Sequence, residues 1–210
     1  MQTDLLPLFP LRTVLFPRTP LPLHIFEDRY KEMMGEVIPA QSEFGIVLAS
    51  EKGICNTGCT AIVERVLKSY PDGRMDLLAA GRRRFEILLL NEEKPYLRGG
   101  VQFFDDDDEP GPTETETRRK VLAGFAELKE LDTDEPVPDA EMSDPQISFQ
   151  IAQSLPDLDF RQHLLMARSE SVRMKQLAGF LEAFVVKQRQ ILHIKSVAPR
   201  NGHGKWPPNP

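Results

Sequence analysis

The rhythm of hydrophobic and polar positions changes once along this chain, after the acidic stretch Asp105–Pro112 (DDDDEPGP). Before it, apolar residues come in short runs bounded by turn formers, which is the texture of strands. Phe44–Ser50 (FGIVLAS) is an apolar run ending in polar residues, as a buried strand does. Cys59–Tyr70 (CTAIVERVLKSY) is rich in β-branched residues and contains no breaker. Pro71-Asp72-Gly73-Arg74 follows, and Asp-Gly supplies the positive φ angles of a tight turn. Met75–Leu90 therefore returns as a second long strand, with Gly81 at a bulge or bend. Tyr96–Phe104 (YLRGGVQFF) reads as another. One helix is predicted in this half, over Glu27–Ile38, where Tyr30, Met33, Met34, Val37 and Ile38 keep helical spacing and Pro39 ends it. Several strands, one hairpin and one helix predict a small, strongly bent β-domain.

After the acidic stretch the period becomes helical. Thr113 and Glu116 have the spacing of a capping box, and Val121, Leu122, Phe125, Leu128 and Leu131 form one stripe behind it. Residues 132–144, acidic and proline-bearing, read as a solvated connector. Asp144-Pro145 opens another helix, with Ile147, Ile151 and Leu155 on one face. Asp159 with Gln162 repeats the capping-box form. A last helix is predicted over Ser171–Ile194, with a seven-residue rhythm from Met174 to Leu192. Four such segments predict a small bundle. From about Ser196 the chain is rich in Pro and Gly, a composition that cannot bury enough apolar surface to order itself.

The segment Leu5–Tyr30 (LLPLFPLRTVLFPRTPLPLHIFEDRY) fits neither rhythm, because Pro7, Pro10, Pro17, Pro20 and Pro22 interrupt its apolar run. A secretory signal would need a basic start, an unbroken apolar core and a small-residue cleavage site. Here Asp4 precedes the run and Arg12 cuts it. A membrane span needs about 20 apolar residues, and Arg12 and Arg18 leave no such stretch. The expectation is a cytoplasmic protein with no membrane partner.

Charge narrows the partners further. Residues 1–117 hold 13 Lys+Arg against 20 Asp+Glu, a net of −7, within a chain whose formal charge is −6. A broad nucleic-acid face needs a basic surface that displaces counterions from phosphates, so the acidic half argues against one. Arg82-Arg83-Arg84 is the local exception, although strand alternation would send neighbouring side chains to opposite faces.

Candidate chemistry is sparse. Cys55 and Cys59 are half of a zinc site, and the four histidines show no paired ligand spacing, so the cysteines read as structural. His24, between Leu23 and Ile25, is expected to be a buried, hydrogen-bonded histidine. Asp105–Glu109 lacks the alternation and glycine of a calcium loop and reads as a solvated link. The chain contains no phosphate loop, H-E-x-x-H or G-x-S-x-G motif. No catalytic residue, metal or cofactor is predicted. Phe103-Phe104 alternates across a strand, which places one ring in the core and leaves the other for a surface.

Seven stretches then follow one another in a familiar order: PLFPL (Pro7–Leu11), VLFP (Val14–Pro17), LPLHIFEDRY (Leu21–Tyr30), FGIVL (Phe44–Leu48), GCTAIVERV (Gly58–Val66), DGRMDLLAAGRRRFEI (Asp72–Ile87) and PYLRGGVQFFDDD (Pro95–Asp107). Together they resemble the N-terminal substrate-binding domain of the Lon protease family, and the stand-alone bacterial proteins that carry that domain without the ATPase and protease domains. LDFRQHLLMARSESVRMKQLAGFLEAF (Leu158–Phe184) extends the likeness into the helical part that follows the β-domain in that family. The resemblance implies an α+β fold, a PUA-like β pseudo-barrel over residues 1–107 and a helical bundle over 108–195, and the composition of 196–210 adds an expected disordered tail. It implies a non-catalytic module that binds unfolded polypeptide segments or a protein partner, as in protein quality control. The expected groove is the proline-rich lip and the last strand, with Phe16, Leu21, Phe103 and Phe104 as its apolar contacts. PUA-like folds elsewhere contact RNA, so the alternative is an RNA-binding protein anchored by Arg82, Arg83 and Arg84. Two departures stand out: Arg18 occupies a place where the family commonly has glycine, and Met166 one where it often has Glu.

Overall fold

Strand β1 (Leu6–Leu11) begins the fold and pairs in parallel with β3 (Phe44–Ser50), Leu8 facing Gly45 and Leu11 facing Leu48. The computed structural model describes residues 5–107, 115–131 and 144–197. Between β1 and β3 come β2 (Pro20–Ile25) and helix α1 (Asp28–Ala40). Two 17-residue strands follow, β4 (Gly53–Ser69) and β5 (Met75–Asn91), then β6 (Arg98–Phe104). The six strands run in the order β2-β5-β4-β3-β1-β6, and β6 also pairs β5. β5 is long enough to serve both ends of this order: its first half pairs β2, and Arg84–Asn91 pairs β6. The sheet thus curls on itself as the expected pseudo-barrel, a mixed sheet rather than a regular closed barrel.

The predicted hairpin joins β4 to β5. Gly73 takes φ +82° and donates to the Tyr70 carbonyl, while the Asp72 carboxylate accepts from the Arg74 backbone N–H. Inside the curl, Phe85 packs with Leu8, Val47 and Ile87. Glycine is required opposite this ring, since a Cβ at Gly58 would lie 2.6 Å from the Phe85 ring tip. α1 reaches one residue past Pro39 and closes on Gln41, a left-handed residue at φ +47°. The helix runs two residues beyond its predicted end at Ile38, with Pro39 in its last turn.

The described residues fall into two compact units. The first contains the sheet, α1, α3 (Ile147–Gln153) and α4 (Leu158–Met166). The sequence grouped α3 and α4 with the helical bundle, yet their contacts within this unit are to the β-domain. Phe149 stacks on Phe16 at 5.5 Å, Arg161 donates to the Val14 carbonyl, and Gln162 donates to the Thr57 carbonyl at 2.9 Å. The two helices pack on each other and on the turn between β1 and β2, with Gln162 reaching β4. α4 is capped by Asp157, which accepts from the Phe160 N–H, and not by Asp159. The second unit contains α2 (Thr115–Leu131) and most of α5 (Glu170–Val197). Val121, Phe125 and Leu128 are buried on one helix and Met174, Leu177, Leu181 and Val185 on the other, the predicted stripes. Gly124 meets Leu181 closely, with 3.1 Å from an added Cβ to the leucine Cβ. The capping residue Thr113, most of the connector and the tail lie outside the described residues.

Candidate functional site

The proline-rich lip is closed. Phe16 is wholly buried and Leu21 and Phe104 are nearly so, which corrects their expected exposure. Phe16 is held inside a tight turn: Thr19 donates to its carbonyl, Arg18 donates to the Gly81 carbonyl, and Gly81 returns a bond to Thr19. Leu21 faces inward on β2, between the exposed prolines Pro20 and Pro22. Phe104 lies beneath two guanidiniums, those of Arg84 at 4.7 Å and Arg168 at 4.3 Å. Only Phe103, at 41% exposure, reaches the surface, and Arg83 covers its ring at 3.6 Å.

The arginine run is divided, though not by simple alternation. β5 carries two residues, Arg82 and Arg83, opposite the single Thr60 of β4. The Thr60 hydroxyl accepts from the Arg83 N–H at 3.0 Å, fastening this bulge. Arg82 and Arg83 are consequently both exposed, and Arg84 turns inward. There its guanidinium meets Asp106 at 2.6 Å and donates to the Leu165 and Ala167 carbonyls. A buried guanidinium held at three points has no face for a phosphate, so the three-arginine anchor is reduced to two.

His24 is exposed rather than buried, because Leu21 and Ile25 take the inward positions of β2. Its Nδ1 lies 2.5 Å from the Asp76 carboxylate, which Tyr70 also contacts at 2.8 Å. These bonds, from His24 first and then Tyr70, hold the Asp76 carboxyl below the usual carboxylate range. The two cysteines are free, and burial pushes the Cys59 thiol up to about 12. Between the end of α1 and the far half of β4, a cleft of about 210 Å³ is lined by Val37, Ile38, Ile62 and Val66.

The longest uncovered apolar run among the described residues lies elsewhere, at the end of β5. Leu88, Leu89 and Leu90 are 66%, 53% and 46% exposed in succession. The β4 ladder leaves β5 at Glu86, so from Ile87 to Asn91 only β6 pairs it among the described residues. A register shift at Leu88 removes strict alternation, and the opposing positions are Gly99 and Gly100, which offer no side chains to cover the leucines. Leu89 itself folds over Gly100, its Cγ 2.9 Å from where a Cβ would stand. The signal was present in the sequence: three leucines in a row after Ile87 cannot all enter one face of a period-two strand.

Comparison with known proteins gives one family. A family model described as the ATP-dependent protease La (LON) substrate-binding domain matches residues 5–200. A Lon protease of Parabacteroides distasonis is 34% identical over 122 residues, 54% of this chain and 15% of that protein. Lon protease 2 of Herpetosiphon aurantiacus is 28% identical over 84% of this chain and 23% of its own length. The chain therefore spans less than a quarter of these two curated relatives. Among solved structures, a Lon N-terminal domain protein from Xanthomonas campestris superposes with a TM-score of 0.67 at 24% identity, covering 84% of this chain and 98% of that one. The N-terminal domain of a Mycobacterium avium complex Lon protease gives 0.59 at 14% identity, covering 85% and 98%.

Proposed function

This chain belongs to the family of ATP-dependent protease La (LON) substrate-binding domains, and we propose that it recognises polypeptide segments without acting on them chemically. The observation that carries this reading is the uncovered run Leu88–Leu90. Three adjacent exposed leucines cost solubility unless a partner buries them, and burial returns roughly 25 cal/mol per Å² of apolar surface. Unfolded chains present such apolar surface, whereas folded proteins hide it. A part in protein quality control beside a Lon-type protease, in the cytoplasm, follows from the same reading. No helix among the described residues is long and apolar enough to cross a membrane.

The test is titration of the full chain into a fluorescently labelled protein kept unfolded by reduction and carboxymethylation, read by anisotropy. Saturable binding that a Leu88→Lys variant weakens is expected. Absence of saturable binding, or an affinity indifferent to Leu88→Lys, overturns the reading.

A further inference from the structure

We propose that the outer edge of β5, from Ile87 to Asn91, takes up an extended, apolar, proline-free segment of another polypeptide as an added β-strand. This rests on the polypeptide-recognition reading and specifies how the segment is held.

An open strand edge is a template for pairing, and folded proteins blunt the edges they do not use. β2, the far half of β4 and the outer side of β6 beyond Gly99 also leave edges open among the described residues. The first two are blunted, and on β6 the exposed Gln102 and the Arg83-covered Phe103 interrupt the apolar face. On β2, Pro20 and Pro22 are two positions apart, so both missing N–H groups fall on the edge away from β5. The far half of β4 is broken by register shifts at Glu64 and Leu67 and carries Glu64, Arg65 and Lys68, all exposed. Ile87–Asn91 has neither device on its open side: no proline and no charge interrupts Ile-Leu-Leu-Leu-Asn.

The side chains fit the same occupant. The shift at Leu88 leaves consecutive leucines exposed, so a strand laid along this edge meets exposed apolar neighbours from Leu88 to Leu90. At about 3.3 Å per residue the edge accommodates a segment of five or six residues. Main-chain bonds would supply affinity without reading sequence, which suits a receptor for many unfolded chains. Charge adds a preference at one end. Glu92 is exposed just past Asn91, whereas Glu93 is already paired with Arg98. A basic residue in the segment beside Glu92 is therefore favoured.

The experiment uses the full chain and two fluorescein-labelled peptides, each of alternating valine and leucine with one terminal lysine. One has an ordinary backbone; its twin is N-methylated at alternate residues and cannot pair as a strand. The ordinary peptide is expected to bind at least tenfold tighter than its twin. Leu88→Lys and Leu90→Lys should each weaken it severalfold, and Val66→Lys, on the blunted β4 edge, should leave it unchanged. Equal binding of the twins overturns strand addition while polypeptide recognition stands. Binding of unfolded protein but of neither peptide overturns it in the same way. Binding of nothing removes both readings. Sedimentation gives the remaining outcome: a dimer that Leu88→Lys disperses means a second copy occupies the edge, which also overturns the proposal. Because the twin peptides are compared on the unmodified protein, the result does not depend on any variant folding.

Discussion

Arg18 and Asp144 stand 126 positions apart in sequence and meet through two parallel bonds, Nε to Oδ2 at 3.1 Å and Nη2 to Oδ1 at 2.7 Å. The pair explains how arginine holds this place in the turn before β2. Arg18 has φ +60°, a left-handed conformation that costs a side-chain-bearing residue about 1–2 kcal/mol. The bidentate grip on a carboxylate that is almost wholly buried offsets that strain. Asp144 keeps donors from the Gln146 N–H and the Gln150 amide when the arginine is removed.

Arg18→Ala and Arg18→Gly both lose the ion pair, but only the alanine keeps the backbone strain. Glycine is therefore expected to be the more stable variant by about 1 kcal/mol, the reverse of its ordinary ranking against alanine. Urea denaturation of the two variants at one pH reads the difference directly. Alanine equal to or better than glycine would mean that position 18 carries no conformational strain.

The divided arginine run predicts unequal costs for the same substitution. Arg84→Ala takes the cation from the buried Asp106 carboxylate, which keeps the Gln146 amide, and a donor from each of the Leu165 and Ala167 carbonyls, so it should destabilise the fold by about 3 kcal/mol. Arg82→Ala and Arg83→Ala remove exposed groups and should each cost about 1 kcal/mol or less, the larger share going to Arg83 for its stack on Phe103. Thermal melts of the three single variants decide it. Three equal shifts would contradict the bulge at Thr60 that separates them.

Gly81 is the close-approach point of the amino-terminal turn. A Cβ there would stand 2.0 Å from the Phe16 carbonyl oxygen, a backbone atom that cannot rotate away. Gly81→Ala should accordingly cost about 3 kcal/mol or more, at or beyond the upper end for overpacking. Gly35→Ala serves as the contrast, since nothing lies within 4 Å of an added Cβ on α1. That change should be neutral or stabilising by up to about 1 kcal/mol. Circular dichroism and denaturant midpoints report both.

The strands, the hairpin, α1 and the stripes of α2 and α5 were legible because period and turn chemistry are local. The pseudo-barrel entered through the family likeness, and no periodicity alone required it. What escaped depends on pairing partners that a sequence does not name. Strict alternation placed Arg82 and Arg84 on one face, and one threonine of the neighbouring strand, Thr60, rearranged them. Apolar residues among prolines suggested an open lip. Their burial depends on α3 and α4, whose stripes show that a face is covered but not by what. Phe16 is covered by Phe149, more than a hundred positions away. Leu88–Leu90 has the composition of a strand, and its exposure arises only because the β4 ladder ends before it.

Cys59 lies in β4 with its side chain wholly buried. Burial raises its thiol from the ordinary 9.0 to about 12, and burial also raises that of the half-buried Cys55. At pH 8 the thiolate of Cys59 is absent from the folded chain, and the thiolate is the nucleophile. Iodoacetamide should therefore alkylate Cys55 slowly and leave Cys59 untouched until the chain unfolds. Mass spectrometry of peptides from native and urea-treated protein distinguishes the two sites. Stability follows from the same shift: above pH 9 the unfolded chain sheds a thiol proton that the folded chain retains until about 12. The contribution is complete below pH 9 and declines between these values, by at most about 1.4 kcal/mol per pH unit. A Cys59→Ala variant lacks this slope while sharing every other titration, so the wild type should lose stability faster than the variant from pH 9 to 10.5. Parallel stability curves, or equal alkylation of both cysteines without denaturant, would show that Cys59 is not sealed within β4.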